Sequence, residues 1–220
     1  MNLALFDLDN TLLDGDSDHL WAQFLIGKGC LDPETHRASN DRFLQQYQDG
    51  ALDIHEFLRF QLAPLAREKR ATLDLWHAEF MRTEILPRRR EAGARAIAQH
   101  LQSGALVALV TATNTFVTAP IARAFGIPHL IATVAEQDAA GNFTGQVLGT
   151  PSFQEGKIVR VEQWLQAQAL HWGAFEQTWF YSDSRNDLPL LQVVSHPVAV
   201  SPDEVLAAHA RSKGWEIQTW

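Results

Sequence analysis

Two carboxylates close an apolar run near the start of the chain. Leu3 to Phe6 is continuously apolar, and Asp7 and Asp9 follow it. Acidic side chains two positions apart on an extended backbone point to the same side. Such a pair suits a division of labour, in which one carboxylate attacks as a nucleophile and the other moves protons. The stretch Asp7-Leu8-Asp9-Asn10-Thr11 also reads as an Asx turn with helix caps. Its meaning depends on what meets it from the rest of the chain.

Three other polar points follow apolar runs or loops. Thr111-Ala112-Thr113-Asn114 follows Ala105–Val110, Asp183 and Asp187 follow Thr178–Tyr181, and Lys157 opens a helical stretch after a loop. Taken singly, Thr111 reads as a helix cap, Lys157 as a solvated helix residue, and the acidic pair as cap and surface charges. Their joint placement reads differently, because open α/β sheets bind ligands beyond the carboxyl ends of their strands. Several carboxylates, one lysine and a few hydroxyls suit a hard cation and a phosphate. Mg²⁺ takes oxygen ligands and keeps some of its waters, and Asp7, Asp183 and Asp187 offer carboxylates. The absence of Cys and His at these points argues against zinc. The glycine pattern of dinucleotide folds is missing after the first run. Gly156-Lys157 is followed by Ile158, so the phosphate-binding loop of ATPases is missing too. No Ser-His-Asp or Cys-His arrangement has support.

The elements that must position these groups are legible from periodicity. Short apolar runs at Leu3–Phe6, Ala105–Val110, His129–Val134, Thr178–Tyr181 and His196–Val200 predict buried strands. Residues 141–147 predict a hairpin or short strands, and Trp215–Trp220 a last edge strand. Helices are expected over about 89–103, 116–125, 155–169, 187–192 and 202–213. Residues 14–86 show only helical spacing, with Ser17 or Asp18 and then Asp53 as caps. That block has no place within a parallel sheet, so it is expected as an insertion over one end of the first strand. The expected fold is α/β: a Rossmann-like three-layer core with a mostly parallel sheet, residues 1–13 and 87–220, and a small all-helical cap, residues 14–86.

Bulk properties narrow the function. The 220 residues are 46% hydrophobic and 20% charged, an ordinary globular composition. A formal net charge of -8 argues against a nucleic-acid partner. No run is long enough to span a membrane, and no secretory signal opens the chain. One cysteine, Cys30, forms no internal disulfide, so a cytoplasmic, reducing compartment is expected. Seven Trp read as packing residues. Nothing in the sequence fixes an oligomeric state.

The ordered set of motifs resembles the haloacid dehalogenase superfamily of phosphohydrolases, in particular its phosphoserine-phosphatase-like branch. Asp7-Leu8-Asp9-Asn10-Thr11 is similar to the first motif, Thr111 to the second, Lys157 to the third, and Asp183-Ser184-Arg185-Asn186-Asp187 to the fourth. The helical block between the first and second motifs matches that branch's small cap. The resemblance implies a Mg²⁺-dependent phosphomonoesterase acting on a small phosphorylated metabolite. It implies Asp7 as a nucleophile forming an aspartyl-phosphate, and Asp9 as the acid and base. Mg²⁺ would be held by Asp7, the Asp9 carbonyl and Asp183, with Asp187 as ligand or support. Thr111 and Lys157 would bind phosphoryl oxygens, assisted by backbone N–H groups near Leu8 and Ala112. The family's phosphoserine enzymes carry Ser-Gly-Gly at the second motif, whereas Thr111-Ala112-Thr113 stands here. In those enzymes a cap Glu and a cap Arg grip the substrate. Here Asp16, near Asp18 and His19, stands closest to the first, and Arg59 is the expected partner for the second. An acidic cap pocket suits a cationic amino alcohol phosphate, and histidinol phosphate is one candidate. Phosphoserine, a catalytically idle binding protein on this scaffold, and phosphoryl transfer to another alcohol are the alternatives.

Overall fold

The structure is a computed structural model and describes residues 1–48 and 53–220. The first apolar run forms β1 (Asn2–Phe6), which is covered on both faces. Leu3 and Leu5 enter one hydrophobic cluster, Ala4 and Phe6 the other. That two-sided burial is why the run is continuously apolar rather than alternating.

The chain then turns on Leu8, whose carbonyl accepts the N–H groups of Thr11, Leu12 and Leu13. Asn10 takes the left-handed conformation this turn needs (φ 56°). Helices α1 (Ser17–Gly27), α2 (Pro33–Gln48), α3 (Ile54–Ala66) and α4 (Arg70–Phe80) follow. Residues 49–52, inside this block, lie outside the described residues. The cap of α1 is Asp16 rather than Ser17 or Asp18: its carboxylate accepts from the Asp18 and His19 N–H groups. Asp53 caps α3 as expected, accepting from His55 and Glu56. The helix expected to run on to Leu86 instead stops at Phe80. One π turn (Met81–Ile85) and one 3₁₀ turn (Leu86–Arg88) follow. Pro87 falls in the 3₁₀ turn, where its missing N–H breaks the α-helical bonding pattern.

The core resumes with α5 (Glu91–Gln102), β2 (Leu106–Asn114), α6 (Thr115–Ala124), β3 (His129–Gln137) and β4 (Phe143–Leu148). It closes with α7 (Glu155–Gln166), β5 (Gln177–Ser182), α8 (Leu188–Leu191), β6 (His196–Val200), α9 (Glu204–Lys213) and β7 (Glu216–Gln218). The sheet order is β4-β3-β2-β1-β5-β6-β7. All neighbours are parallel except β3 and β4, so the sheet is mixed. Residues 143–148 form one strand folded back on β3. β2 runs further than its apolar part, through Thr111 to Asn114. Between Val110 and Asn114 its register against β3 shifts. Bulged segments of this kind re-aim side chains near sites.

The helical block rests on the core at several points. Gly145 of β4 (φ +80°) lets α3 come close: a Cβ there would meet Ala66 Cβ at 3.4 Å and Ala63 Cα at 3.6 Å. Nearby, His77 of α4 bonds the Val117 carbonyl at 2.9 Å, and Trp21 packs edge-on against Phe116 at 5.6 Å. Among the described residues no helix is long and apolar enough to cross a membrane.

Candidate active site

β1 is the central strand, with β2 on one side and β5 on the other. Phe6 is level with Leu109 and with Tyr181. Asp7, Thr111 and Asp183 therefore emerge at the same end of three adjacent strands. Asp7 is fixed at its backbone, where its N–H donates to the Tyr181 carbonyl at 2.9 Å.

The two oxygens of Asp7 face different neighbours. Oδ1 accepts from Lys157 Nζ at 2.8 Å. Oδ2 lies 3.4 Å from the Thr11 hydroxyl, which is 3.0 Å from Asp183 Oδ1. Thr11 thus stands between two carboxylates that repel each other, and it also accepts the Asp183 N–H at 3.0 Å. Lys157 is shared with Asp187, whose carboxylate it meets at 2.6 and 2.8 Å. Ser182 Oγ donates to the same Asp187 carboxylate at 2.7 Å. Asp187 is buried and turned toward Lys157 and Ser182, an arrangement that holds the lysine rather than presenting an open ligand. The lysine reaches this place through a tight entry to α7. Gln154 is left-handed there (φ 49°), and any side chain at Gly156 would collide with the Pro151 carbonyl.

Asp9 is held separately. Its Oδ1 accepts the Ser17 N–H at 2.6 Å and its Oδ2 the Thr113 hydroxyl at 2.9 Å. The cap's first helix and the second strand therefore meet at this one carboxylate. Thr111 Oγ1 accepts the Thr113 N–H at 3.2 Å, which leaves its own proton free to point elsewhere.

The charges are packed more tightly than water would allow. Burial first, then Asp16, raises Asp9 to about 7, against the Ser17 and Thr113 hydrogen bonds that favour the charged form. Burial also raises Asp183 to about 6, opposed by the Thr11 hydroxyl and reinforced by Asp187. Asp7 is raised as well, by burial and by Asp187, Asp183 and Asp9, in spite of Lys157. Burial works against the Lys157 ammonium, yet Asp187 and Asp7 together outweigh it and the lysine stays charged. One cation among these carboxylates leaves the cluster short of positive charge.

Among the described residues no group of three or more His, Cys, Asp or Glu side chains is arranged to hold a metal. Mg²⁺ needs less than that: one or two carboxylates, with water and substrate oxygens completing its shell. Asp7 and Asp183, drawn to one hydroxyl and sharing Lys157 as countercharge with Asp187, fit that demand, and all the donors are oxygens.

A cavity of about 900 Å³ joins these groups to the cap. Asp7, Asp9, Thr111, Ala112, Lys157, Asp183 and Asp187 line its floor, and Asp16 lines its cap side. Arg59 does not line it. The inward stripe of α3 runs through Ile54, Phe57, Leu58, Gln61 and Leu62, and position 59 is turned off that stripe into solvent. Arg37 of α2 lines the cavity instead, with His36, Asn40 and Phe43. Asp18 is also on the wall, raised by burial and by Asp16 and Asp9. His36 is buried, stacks on Phe60 at 5.0 Å and meets the Asn40 amide at 3.3 Å. Four contributors had no assigned task in the sequence: the Thr113 hydroxyl, the Ser17 N–H, the Ser182 hydroxyl and the Thr11 hydroxyl. The alternation Thr111-x-Thr113 was the available signal for the first, since it puts both on one side of an extended strand.

The pattern of haloacid dehalogenase-like hydrolases matches residues 4–192. A histidinol-phosphatase of Neisseria meningitidis serogroup C (strain 8013) is 45% identical over 216 residues, 98% of this chain and 97% of that protein. A phosphoserine phosphatase of Mycobacterium tuberculosis (strain ATCC 25618 / H37Rv) is 32% identical over 219 residues, 98% of this chain and 70% of that one. A crystal structure of a Bordetella pertussis Tohama I protein of unknown function superposes with a TM-score of 0.93 at 48% identity, covering 99% of this chain and 97% of that chain. With the family pattern spanning most of its length and relatives covering nearly all of it, the chain belongs to the haloacid dehalogenase-like hydrolases, as a phosphohydrolase with a helical cap.

Proposed function

We propose that the protein is a Mg²⁺-dependent phosphomonoesterase that transfers the phosphoryl group of a small metabolite first to Asp7 and then to water, with histidinol phosphate as its substrate. The observation that carries the chemistry is the floor of the cavity: Asp7, Asp9, Thr111, Lys157 and Asp183 line one space, with Lys157 2.8 Å from Asp7. In this reading the core is residues 1–13 and 87–220, and the cap is residues 14–86.

Asp7 attacks phosphorus with the oxygen that faces the cavity. Lys157, held by Asp187, and the Thr111 hydroxyl bind the phosphoryl oxygens as charge builds on them. Asp9 gives its proton to the departing alcohol. As a carboxylate it then takes a proton from the water that cleaves the aspartyl-phosphate. A group raised to about 7 serves both tasks near neutral pH. Asp7, the Asp9 carbonyl and Asp183 would hold Mg²⁺. When bound, it supplies positive charge that offsets repulsion between these carboxylates and the substrate phosphate.

The size and lining of the cavity support the choice of substrate. The cap side offers Asp16 and Asp18 to an ammonium group, and Phe43, Phe57 and His36 to a flat ring. Histidinol phosphate carries both groups on an alkyl phosphate. The 45%-identical relative named a histidinol-phosphatase points the same way. Arg37 favours phosphoserine instead, since the carboxylate of that substrate calls for a cation. Steady-state kinetics on a panel of phosphomonoesters, with and without Mg²⁺, decides. The expected result is Mg²⁺-dependent phosphate release with the highest kcat/KM on histidinol phosphate, abolished in Asp7→Asn. A higher kcat/KM on phosphoserine overturns the substrate, and no Mg²⁺-dependent release from any ester overturns the enzyme.

A further inference from the structure

The two oxygens of Asp9 are held by unlike partners. Oδ1 accepts a backbone N–H, that of Ser17, and Oδ2 accepts a side-chain hydroxyl, that of Thr113. A backbone N–H can only donate, so Oδ1 stays an acceptor whether Asp9 is charged or neutral. A hydroxyl both donates and accepts, and it rotates to suit its neighbour. Oδ1 therefore serves as the carbonyl oxygen, and Oδ2, which has two lone-pair sites, can carry the proton into the cavity while still accepting the Thr113 hydroxyl. Thr113 is in turn fixed: it lies on β2, its side chain is buried, and its N–H is bound to Thr111 Oγ1 at 3.2 Å.

Resting on the reading of Asp9 as the general acid, we propose that Thr113 is a positioning residue that selects and aims the proton-carrying oxygen of Asp9, and so fits the enzyme to esters of unactivated alkyl alcohols. In the step concerned, a bond forms between Asp7 and phosphorus while the bond from phosphorus to the ester oxygen breaks. The electron pair of that bond goes to the ester oxygen, which takes the Asp9 Oδ2 proton and leaves as the neutral alcohol. An alkoxide leaves poorly without that proton. A nitrophenolate leaves without it, because its charge is already stabilised in the ring. Thr113 acts through Asp9, so its loss is felt only where the proton is needed.

The test compares kcat/KM, which covers the reaction through phosphoryl transfer, for histidinol phosphate and phosphoserine against p-nitrophenyl phosphate. Thr113→Val keeps the shape and removes the hydroxyl; Thr113→Ser keeps the hydroxyl. Removing a hydrogen bond to a charged group predicts a loss of about ten- to a hundredfold on the alkyl esters in Thr113→Val. A much smaller loss is expected on the aryl ester, with recovery in Thr113→Ser. Equal losses on both ester types, no loss on alkyl esters, or no recovery with serine overturns the proposal. Asp9→Asn, run in parallel, separates the two layers. If it too fails to distinguish alkyl from aryl esters, the general-acid reading falls and Thr113's role falls with it. If Asp9→Asn distinguishes them and Thr113→Val does not, only the role of Thr113 falls.

Discussion

At Asp183 the proposed cation binding would couple to stability. Its folded-state pKa is raised from 3.8 to about 6, so the folded chain binds more of its proton than the unfolded chain between those values. Stability therefore falls as pH rises through that window. Asp183→Asn removes this penalty. In thermal melts of metal-free protein the variant is expected to gain on the parent as pH is raised from about 4 to about 7. In the proposed mechanism the same variant loses a cation ligand, so the Mg²⁺ concentration that half-activates the enzyme is expected to rise at least about tenfold. A variant with unchanged Mg²⁺ dependence would remove Asp183 from the cation site. The Asp187 carboxylate is engaged by Lys157 and Ser182.

Two elements hold the site by close backbone approach. The entry to α7 brings Gly156 against the Pro151 carbonyl one residue before Lys157. Gly156→Ala forces that loop apart and displaces the lysine, and small misplacements of this kind cost on the order of a hundredfold in rate. A fall in kcat of that order with folded protein by circular dichroism is the expected outcome. On the cap side, Gly145→Ala puts a side chain at φ +80° against Ala66. An L-residue in the left-handed region costs about 1–2 kcal/mol, so a lowered melting temperature is expected. An unchanged one would mean that position 145 does not hold the left-handed conformation.

The same elements show what could be read from the chain alone. Asp7, Thr111 and Asp183 were legible because each follows an apolar run of strand length, and strand ends converge in a parallel sheet. Lys157 was legible only as part of that set. The ties at Asp9 were not, because Thr113 lies 104 residues away and the Ser17 N–H carries no side-chain signal. β2 outran its apolar part because Thr111 and Thr113 keep the two-residue alternation although they are polar. Arg59 was misplaced because its charge was weighed without the phase of α3, whose buried residues Leu58, Leu62 and Leu65 turn it outward. Asp16 read as a substrate group, and it is also the cap of α1. Both cap bonds fall on Oδ1, so the cap leaves Oδ2 for the proposed contact with substrate.

At the scale of the whole molecule, the core places four carboxylates (Asp7, Asp9, Asp183 and Asp187) and Lys157 of α7 beyond the ends of the central strands, and the cap closes the space above them. Asp7, Asp9 and Asp183 are all raised, so the metal-free protein carries a destabilising cluster whose cost grows with pH. A cation that binds only the folded chain stabilises it by mass action. Mg²⁺ is therefore expected to raise the melting temperature, and to raise it more at pH 8 than at pH 5, where protons already relieve the repulsion. Equal shifts at both pH values would disconnect the cation from these carboxylates. The central claim is that Asp7 receives the phosphoryl group. Rapid acid quenching during turnover of histidinol phosphate, followed by mass spectrometry of the digested protein, tests it directly. A phosphoryl adduct is expected on the peptide bearing Asp7, absent in Asp7→Asn together with turnover; an adduct on another residue, or continued turnover by Asp7→Asn, would show that Asp7 is not the acceptor.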